Sequence, residues 1–274
     1  MISAQRTYPD EIVGFIDVEQ AFDMEYAQKL GLDTDEEKLV IIQPDSANQA
    51  LDLYLQFISS GLFSLVVLDS IPALIPDQNL NADVGDQQVA TLGRLLSNEM
   101  RKIMVSANKT NTASLIINQW RAGIGFNQPP KVMPGGAATK YYPSVTIDLK
   151  RQDLIKKGEN YIGMVVQANF IKNRFGNPYA KEEYELMYGI GIPLKKEILD
   201  VAVSLGIVSK GGSWFTGPTV DSTIRLQGLA NLASYYEDNP QDFDILEKLV
   251  KEAMQASRKT VVESPDEDPE IEEE

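Results

Sequence analysis

Two short apolar stretches of this sequence end in carboxylate side chains. LFSLVVLDS ends in Asp69 and Ser70, and EIVGFIDVE ends in Asp17 and Glu19. An acid and a hydroxyl after an apolar strand have the form of a Walker B site, in which the aspartate holds the magnesium ion of a nucleoside triphosphate. For each acid taken alone, a turn or a helix cap is the alternative. Because the chain has no histidine and no cysteine, acid–base chemistry falls to carboxylates, lysines or tyrosines, and imidazole and thiolate metal sites are excluded.

Apolar runs of strand length alternate with segments of helical spacing around these acids. The runs cover residues 11–19, 37–44, 62–69 and 113–119, and the helical segments cover 23–33, 46–61 and 89–111. This alternation predicts an α/β fold with a mostly parallel sheet flanked by helices. In such a sheet, ligands bind at the carboxyl ends of the strands, which is where the acids lie.

The rest of the chain divides into regions of different composition and predicted secondary structure. A Gly- and Pro-rich loop at residues 120–136 precedes three further strands, and from residue 194 short helices, a Gly-rich turn and a closing helix predict a small α/β domain. We therefore expect a core domain over 1–193, a small C-terminal domain over 194–257, and a disordered acidic tail over 258–274.

The net charge is concentrated in the tail. The 274 residues carry a formal charge of -15, and residues 261–274 contain eight acids and no base, which leaves -15 + 8 = -7 for the remainder. A local basic groove therefore remains possible in the body. The absence of an apolar run of membrane-spanning length, or of a signal-peptide pattern near Met1, predicts a cytoplasmic protein without a membrane partner.

Eight stretches, in this order, resemble the RecA family of bacterial homologous-recombination ATPases. They are GFIDVEQAFDMEYAQKLGLD, QPDSANQALDL, LVVLDSIPALIP, GDQQVATLGRLLSNEMRK, LIINQWRAGIG, GGAATKYYPSV, IKNRFGNPY and ELMYGIGI. The resemblance runs from about residue 10 to about residue 255. It implies a RecA-like P-loop ATPase core, and ATP-dependent binding of single- and double-stranded DNA by a homo-oligomeric filament in recombination, repair and the sensing of DNA damage, in a bacterial or phage-infected cell.

The resemblance also implies residues for an ATP and Mg²⁺ site. Glu19 corresponds to the glutamate that polarises the attacking water, and Gln119 to the glutamine that senses the γ-phosphate. Asp69 corresponds to the magnesium aspartate, with Ser70 beside it. Asp23 and Tyr26 correspond to the pair that binds the adenine. The other implied residues contact a neighbouring subunit: Lys172 and Arg174 its ATP, Tyr188 its adenine, and Tyr141 the interface.

Two segments resemble the DNA-facing loops of the family, at residues 77–90 and 120–136. Arginine side chains supply the charge that displaces counterions, and glycines let backbone amides approach phosphates. The implied DNA-binding residues are Arg94, Arg101, Arg121, Phe126, Gly135 and Gly136. The second loop departs from the family pattern in its length and in having Ala137 where the family usually has Asn.

The P-loop pattern GxxxxGK[ST] does not occur in the 274 residues. Since MISAQRTYP is similar to the end of the helix after that loop, we expect an N-terminally truncated core, inactive alone and a DNA-dependent ATPase when a P-loop segment completes it. The alternatives are an ATPase-inactive DNA-binding or filament-modulating module, and a hexameric helicase of the same fold. The order of KNRFGNP and MYGIGI after the sheet disfavours the helicase.

Overall fold

The computed structural model describes residues 1–79, 88–122 and 131–263. The strands are β1 (Ile12–Asp17), β2 (Leu39–Ile42), β3 (Phe63–Asp69), β4 (Ala113–Ile116), β5 (Arg121–Ala122), β6 (Lys131–Val132), β7 (Val145–Lys157), β8 (Asn160–Asn173), β9 (Lys181–Met187), β10 (Ser209–Gly211), β11 (Trp214–Pro218) and β12 (Thr223–Gln227). The helices are α1 (Ile2–Thr7), α2 (Met24–Lys29), α3 (Ala47–Ser60), α4 (Gln88–Thr110), α5 (Ala138–Tyr141), α6 (Leu194–Ser204), α7 (Leu229–Asp238) and α8 (Pro240–Glu263). None of the helices in these ranges has the length and apolarity needed to cross a membrane.

The chain forms two compact units. The first comprises Met1–Lys150 with Gln167–Glu182, and the second comprises Arg151–Val166 with Glu183–Glu274. Strands β7, β8 and β9 form a three-stranded sheet in that order. The domain boundary predicted at residue 193 stays a prediction.

A four-stranded parallel sheet in the order β2-β1-β3-β4 organises the first unit. Side chains of the central strand β3 alternate between two hydrophobic cores: Val66 and Leu68 belong to one, and Leu65 and Val67 to the other. Both faces of the sheet are therefore buried, as is usual for parallel sheets. The predicted α/β class, with a mostly parallel sheet flanked by helices, is confirmed.

Helix α3 covers one face of this sheet. Its sequence has a capping residue at the start, a glycine at the end and apolar residues at helical spacing between them. The Ser46 side chain accepts a hydrogen bond from the Gln49 amide (3.2 Å) as N-cap, and Gly61 ends the helix in the left-handed region at φ 70°. Tyr54, fully buried, donates its hydroxyl to the Val66 carbonyl (3.1 Å) and lies 2.8 Å from the Ser114 hydroxyl. This contact connects β3 to β4, the two strands that lead into the predicted site.

The second unit has its own core. Helices α6, α7 and α8 pack with the antiparallel sheet β10-β11-β12, and the fully buried residues include Ala202, Leu232 and Leu246. The sequence predicted only a Gly-rich turn near residue 212. The structure instead forms a hairpin in which Gly212, at φ 64°, lies between β10 and β11. The sequence did not indicate this hairpin because the flanking segments are too short to display a strand period.

Candidate functional site

The carboxyl ends of β1 and β3 place two acids side by side. Asp17 and Asp69 are register partners in the parallel pair, and the Val18 amide donates to the Asp69 carbonyl (2.9 Å). The chain beyond β1 is thus fixed against the end of β3. The acids that the sequence places at separate strand ends therefore form one cluster.

The Asp17 side chain links β1 to the segment that follows it and to the end of β2 through hydrogen bonds. Its side chain is only 1% exposed and accepts hydrogen bonds from the Ala21 amide (3.1 Å), the Phe22 amide (3.1 Å) and the Gln43 side chain (2.9 Å). Such bonds offset the cost of burying a polar side chain. Asp17 therefore shapes the segment that carries Glu19. Sequence reasoning did not identify Gln43, although its place after the apolar run of β2 is the same signal that marks Gln119 after β4.

Glu19 is held by two side chains. The Ser70 hydroxyl donates to Glu19 Oε1 at 2.5 Å, and the Gln119 amide nitrogen approaches the same oxygen at 3.5 Å. Ser70 is completely buried, whereas Glu19 and Gln119 are exposed. The sequence grouped Ser70 with the nucleotide-binding residues. The structure uses its hydroxyl to orient Glu19, and a contact of Ser70 with nucleotide stays a prediction.

The electrostatics of Asp69 suit a cation. Burial raises the pKa of Asp69, and the negative charges of Glu19 and Asp17 raise it further. A bound cation would relieve this repulsion, and carboxylate and hydroxyl oxygens are ligands that Mg²⁺ accepts. Within the described residues there is no group of three or more metal-ligating side chains. Mg²⁺ sites formed by one or two carboxylates together with substrate phosphates do not need such a group.

Asp23 and Tyr26 lie at the start of α2. Asp23 is the N-cap, and its side chain accepts a hydrogen bond from the Tyr26 amide at 2.9 Å. Tyr26 is 44% exposed. The cap leaves the second oxygen of Asp23 available, and the predicted recognition of adenine by this pair stays a prediction.

A surface groove lies between α4 and the segment that precedes α5. It has a volume of about 520 Å³ and is lined by Arg94, Ser97 and Asn98 on one side and by Gly136 and Ala137 on the other. Arg94 and Arg101 are exposed and make no ion pair with any residue in the described ranges, whereas Lys102 pairs with Glu99 at 2.7 Å. The groove therefore presents Arg94 beside a glycine-containing backbone, and Arg101 lines an adjacent pocket along α4 together with Ser97, Asn98 and Lys102.

The two predicted glycines of this segment differ in environment. Gly135 is buried at φ 93°, and a Cβ there would lie 2.8 Å from Leu96 and 2.6 Å from Thr139. Gly136 is exposed at φ 68°, and a Cβ there would meet its nearest neighbour, the Gly93 Cα, at 3.8 Å. Gly135 thus allows close packing on α4, and Gly136 faces the groove.

The predicted loop at 120–136 has a hairpin stem that the sequence did not indicate. Arg121 pairs with Val132, and Ala122 pairs with Lys131, in the antiparallel strands β5 and β6. Two-residue strands are too short to show a period, so sequence reasoning missed them. Phe126 and most of the first predicted loop lie outside the described residues.

The cations predicted to reach a neighbouring subunit lie at the end of β8, with Lys172 on the strand and Arg174 directly after it. Lys172 donates to the carbonyls of Tyr141 (2.8 Å) and Lys140 (3.2 Å). Desolvation lowers the pKa of Lys172, and the positive charge of Arg174 beside it lowers it further. In the first unit, Tyr141 is 72% exposed. In the second unit, Tyr188 is 47% exposed and its amide donates to the Ile162 carbonyl (2.9 Å).

Comparison with known proteins agrees with this arrangement. The RecA N-terminal domain family matches residues 1–193, and the RecA C-terminal domain family matches residues 196–255. Curated proteins named Protein RecA are similar along most of the chain. That of Rickettsia bellii is 40% identical over 240 residues, 87% of this chain and 68% of the relative. That of Pseudarthrobacter chlorophenolicus is 39% identical over 244 residues, 89% of this chain and 68% of the relative. That of Desulforapulum autotrophicum is 37% identical over 254 residues, 92% of this chain and 72% of the relative. The chain belongs to the RecA family.

Proposed function

We propose that this chain is a recombination and repair protein that binds single-stranded DNA in the groove beside α4 and couples that binding to ATP at the carboxylate cluster. One observation carries the proposal. Gln119 approaches Glu19 at 3.5 Å, and two residues later the chain enters the β5–β6 stem with Arg121. A change in the position of Glu19 can therefore move Gln119, which is two residues from the start of the segment proposed to bind DNA.

On the ATP side, the chain's own residues have separate tasks. Glu19 is exposed and oriented by Ser70, so it is available to accept a proton from water or to orient it. Asp69, with Asp17 and Glu19 as negative neighbours, would hold Mg²⁺. When bound, Mg²⁺ neutralises the charge that develops on the phosphate oxygens. Asp23 and Tyr26, at the exposed start of α2, would bind the adenine.

On the filament side, a second copy of the chain would complete the ATP site with Lys172 and Arg174 of the first unit. Lys172 is oriented by the carbonyls of residues 140 and 141, and Arg174 follows it at the end of β8. Two cations held close together at an exposed edge repel each other, so an anion between them is favourable. Triphosphate oxygens of a neighbour are such an anion. The exposed ring of Tyr141 in the first unit, and separately that of Tyr188 in the second unit, would each offer an apolar contact to a neighbouring copy.

On the DNA side, exposed cations and glycines favour the phosphate backbone. Arg94, Arg101 and Arg121 are exposed, and Gly136 leaves the backbone of the groove accessible. Contacts of this kind carry affinity without sequence preference. This part of the proposal uses neither Gly135, which is buried, nor Phe126, which lies outside the described residues.

The test is a titration of labelled single-stranded DNA by fluorescence anisotropy at several salt concentrations. We expect the logarithm of the affinity to fall linearly with the logarithm of the salt concentration. Arg101→Ala should weaken binding to all sequences and reduce the salt slope by about one. Lys102→Ala is the matched control, because Lys102 is adjacent but paired with Glu99, and its effect should be smaller. Binding by Arg101→Ala equal to that of the parent at every salt concentration would contradict the proposal.

A further inference from the structure

Trp120 has an unusual setting at the start of the β5–β6 stem. Its indole N–H donates to the Asp148 carboxylate at 2.8 Å, yet the side chain is 42% exposed. The N–H is the only polar group of the indole, and Asp148 occupies it. What the exposed part of Trp120 offers to a ligand is therefore apolar ring surface.

The hydrogen bond also fixes the direction of the ring. Asp148 lies on β7, and its own carbonyl accepts a bond from the Asn169 side chain at 3.4 Å on the neighbouring strand β8. Trp120 is thus attached to regular structure at Asp148. A ring held in place loses less conformational entropy on binding than a free one.

Three exposed cations lie near Trp120 or Asp148 along the chain or on a paired strand. Arg121 follows Trp120 directly, and Lys131 lies on the partner strand of the stem. Lys150 is two residues from Asp148 on β7 and therefore lies on the same face of that strand. An exposed aromatic ring with neighbouring cations is the combination by which proteins bind single-stranded nucleic acid, the ring stacking on a base and the cations contacting phosphates.

We propose that Trp120 stacks on a base of the single-stranded DNA that this chain binds, with Asp148 as the residue that positions the ring. The inference rests on the proposed function, since it assumes that this chain binds DNA. It adds a base-contacting residue to a set of phosphate-contacting ones. Because every base has a π-face, the contact is tolerant of sequence.

The chain allows a direct optical test, because Trp120 and Trp214 are its only two tryptophans. In a Trp214→Phe variant, tryptophan emission reports on Trp120 alone. We expect single-stranded DNA to quench this emission as it binds. An emission that changes with protein concentration and is unaffected by DNA would overturn the proposal and identify a second copy of the chain as the partner of the ring.

Affinity measurements separate stacking from a structural role. Trp120→Leu should weaken binding of single-stranded DNA roughly five- to a hundredfold, and Trp120→Phe, which keeps an aromatic ring, should retain most of the affinity. Asp148→Ala, which frees the ring, should bind single-stranded DNA with an affinity between those of Trp120→Leu and Trp120→Phe. Asp148→Asn keeps an acceptor for the indole and is its control.

The decisive comparison uses an abasic strand of equal length, which has the phosphates but no bases. The parent should bind it more weakly than normal DNA, and Trp120→Leu should cause no further loss. Arg121→Ala should still weaken binding of the abasic strand, because it removes a phosphate contact. An equal loss for Trp120→Leu on both strands would overturn the stacking role while leaving the proposed function intact. A parent that binds neither strand would instead contradict the proposed function.

Discussion

Asp17 is 1% exposed and accepts three hydrogen bonds at the carboxyl end of β1, whereas Arg94 and Arg101 on α4 are exposed and make no ion pair with any residue of the described ranges. Both regions belong to the first unit. At the strand ends, short bonds fix each group relative to the next. Along α4, the exposed arginines are free to follow a long, flexible anion.

The difference reflects two kinds of ligand. Chemistry on a phosphate requires groups held near their working positions before the substrate arrives, because any misplacement reduces the rate. Binding to a DNA backbone requires charge more than position, because it draws its free energy from released counterions. Substitutions in the cluster should therefore change turnover or stability, and substitutions in the groove should change affinity and its dependence on salt.

The largest expected effect is on hydrolysis. The GxxxxGK[ST] pattern does not occur in the 274 residues, so we expect little turnover from this chain alone, and the assay uses a fusion in which a segment containing that pattern precedes Met1. In that fusion, Glu19→Gln should lower the ATP turnover number roughly 10²- to 10⁴-fold, because the amide cannot accept the proton.

Two controls make the turnover result specific. Glu25→Gln changes another exposed acid, on α2, and should leave turnover unchanged. Single-stranded DNA binding by Glu19→Gln should equal that of the fusion parent. Turnover in the unfused chain that is lost on Asp69→Ala would show instead that residues outside a P-loop hold the phosphates.

The second effect is on the free energy of unfolding. Asp17→Ala leaves the Ala21 and Phe22 amides and the Gln43 side chain without their acceptor, which we expect to cost about 3 kcal/mol. Asp17→Asn retains one acceptor oxygen and should cost less. Urea unfolding followed by circular dichroism measures both. A loss of less than about 1 kcal/mol for Asp17→Ala would mean that the loop closes without this carboxylate.

The third effect compares the two glycines of the groove segment. Gly135→Ala should lower the free energy of unfolding by about 2–3 kcal/mol, because it combines a positive φ with close contacts to Leu96 and Thr139. Gly136→Ala has the strain of a positive φ but open space around it, and should cost about 1 kcal/mol. Equal thermal stability of the two variants would contradict the packing role of Gly135.

The sequence predicted the parallel sheet and the position of Asp69 because strand length, helical spacing and strand-end acids are local features. It could not predict that the Ser70 hydroxyl orients Glu19, because that bond joins residues 51 positions apart. The same holds for Trp120 and Asp148, 28 positions apart. The role of Gly135 was also hidden, since a glycine that contacts phosphate and one that packs against a helix look the same in sequence.

The smallest effect concerns the charge of Asp69. Burial and the charges of Glu19 and Asp17 raise its pKa above the usual 3.8, so its ionised form is less favourable in the folded protein than in the unfolded chain. At neutral pH the ionised group therefore reduces stability, and Asp69→Asn should raise the free energy of unfolding, by less than about 1 kcal/mol because the group is partly exposed to solvent. As pH falls through the raised pKa, Asp69 takes up a proton in the folded state first, and the advantage of the variant should disappear. Melting temperatures of parent and Asp69→Asn, measured from neutral pH down to about pH 4, test the sign. A variant that is less stable than the parent at neutral pH would show that hydrogen bonding to the ionised carboxylate outweighs its repulsion by the neighbouring acids.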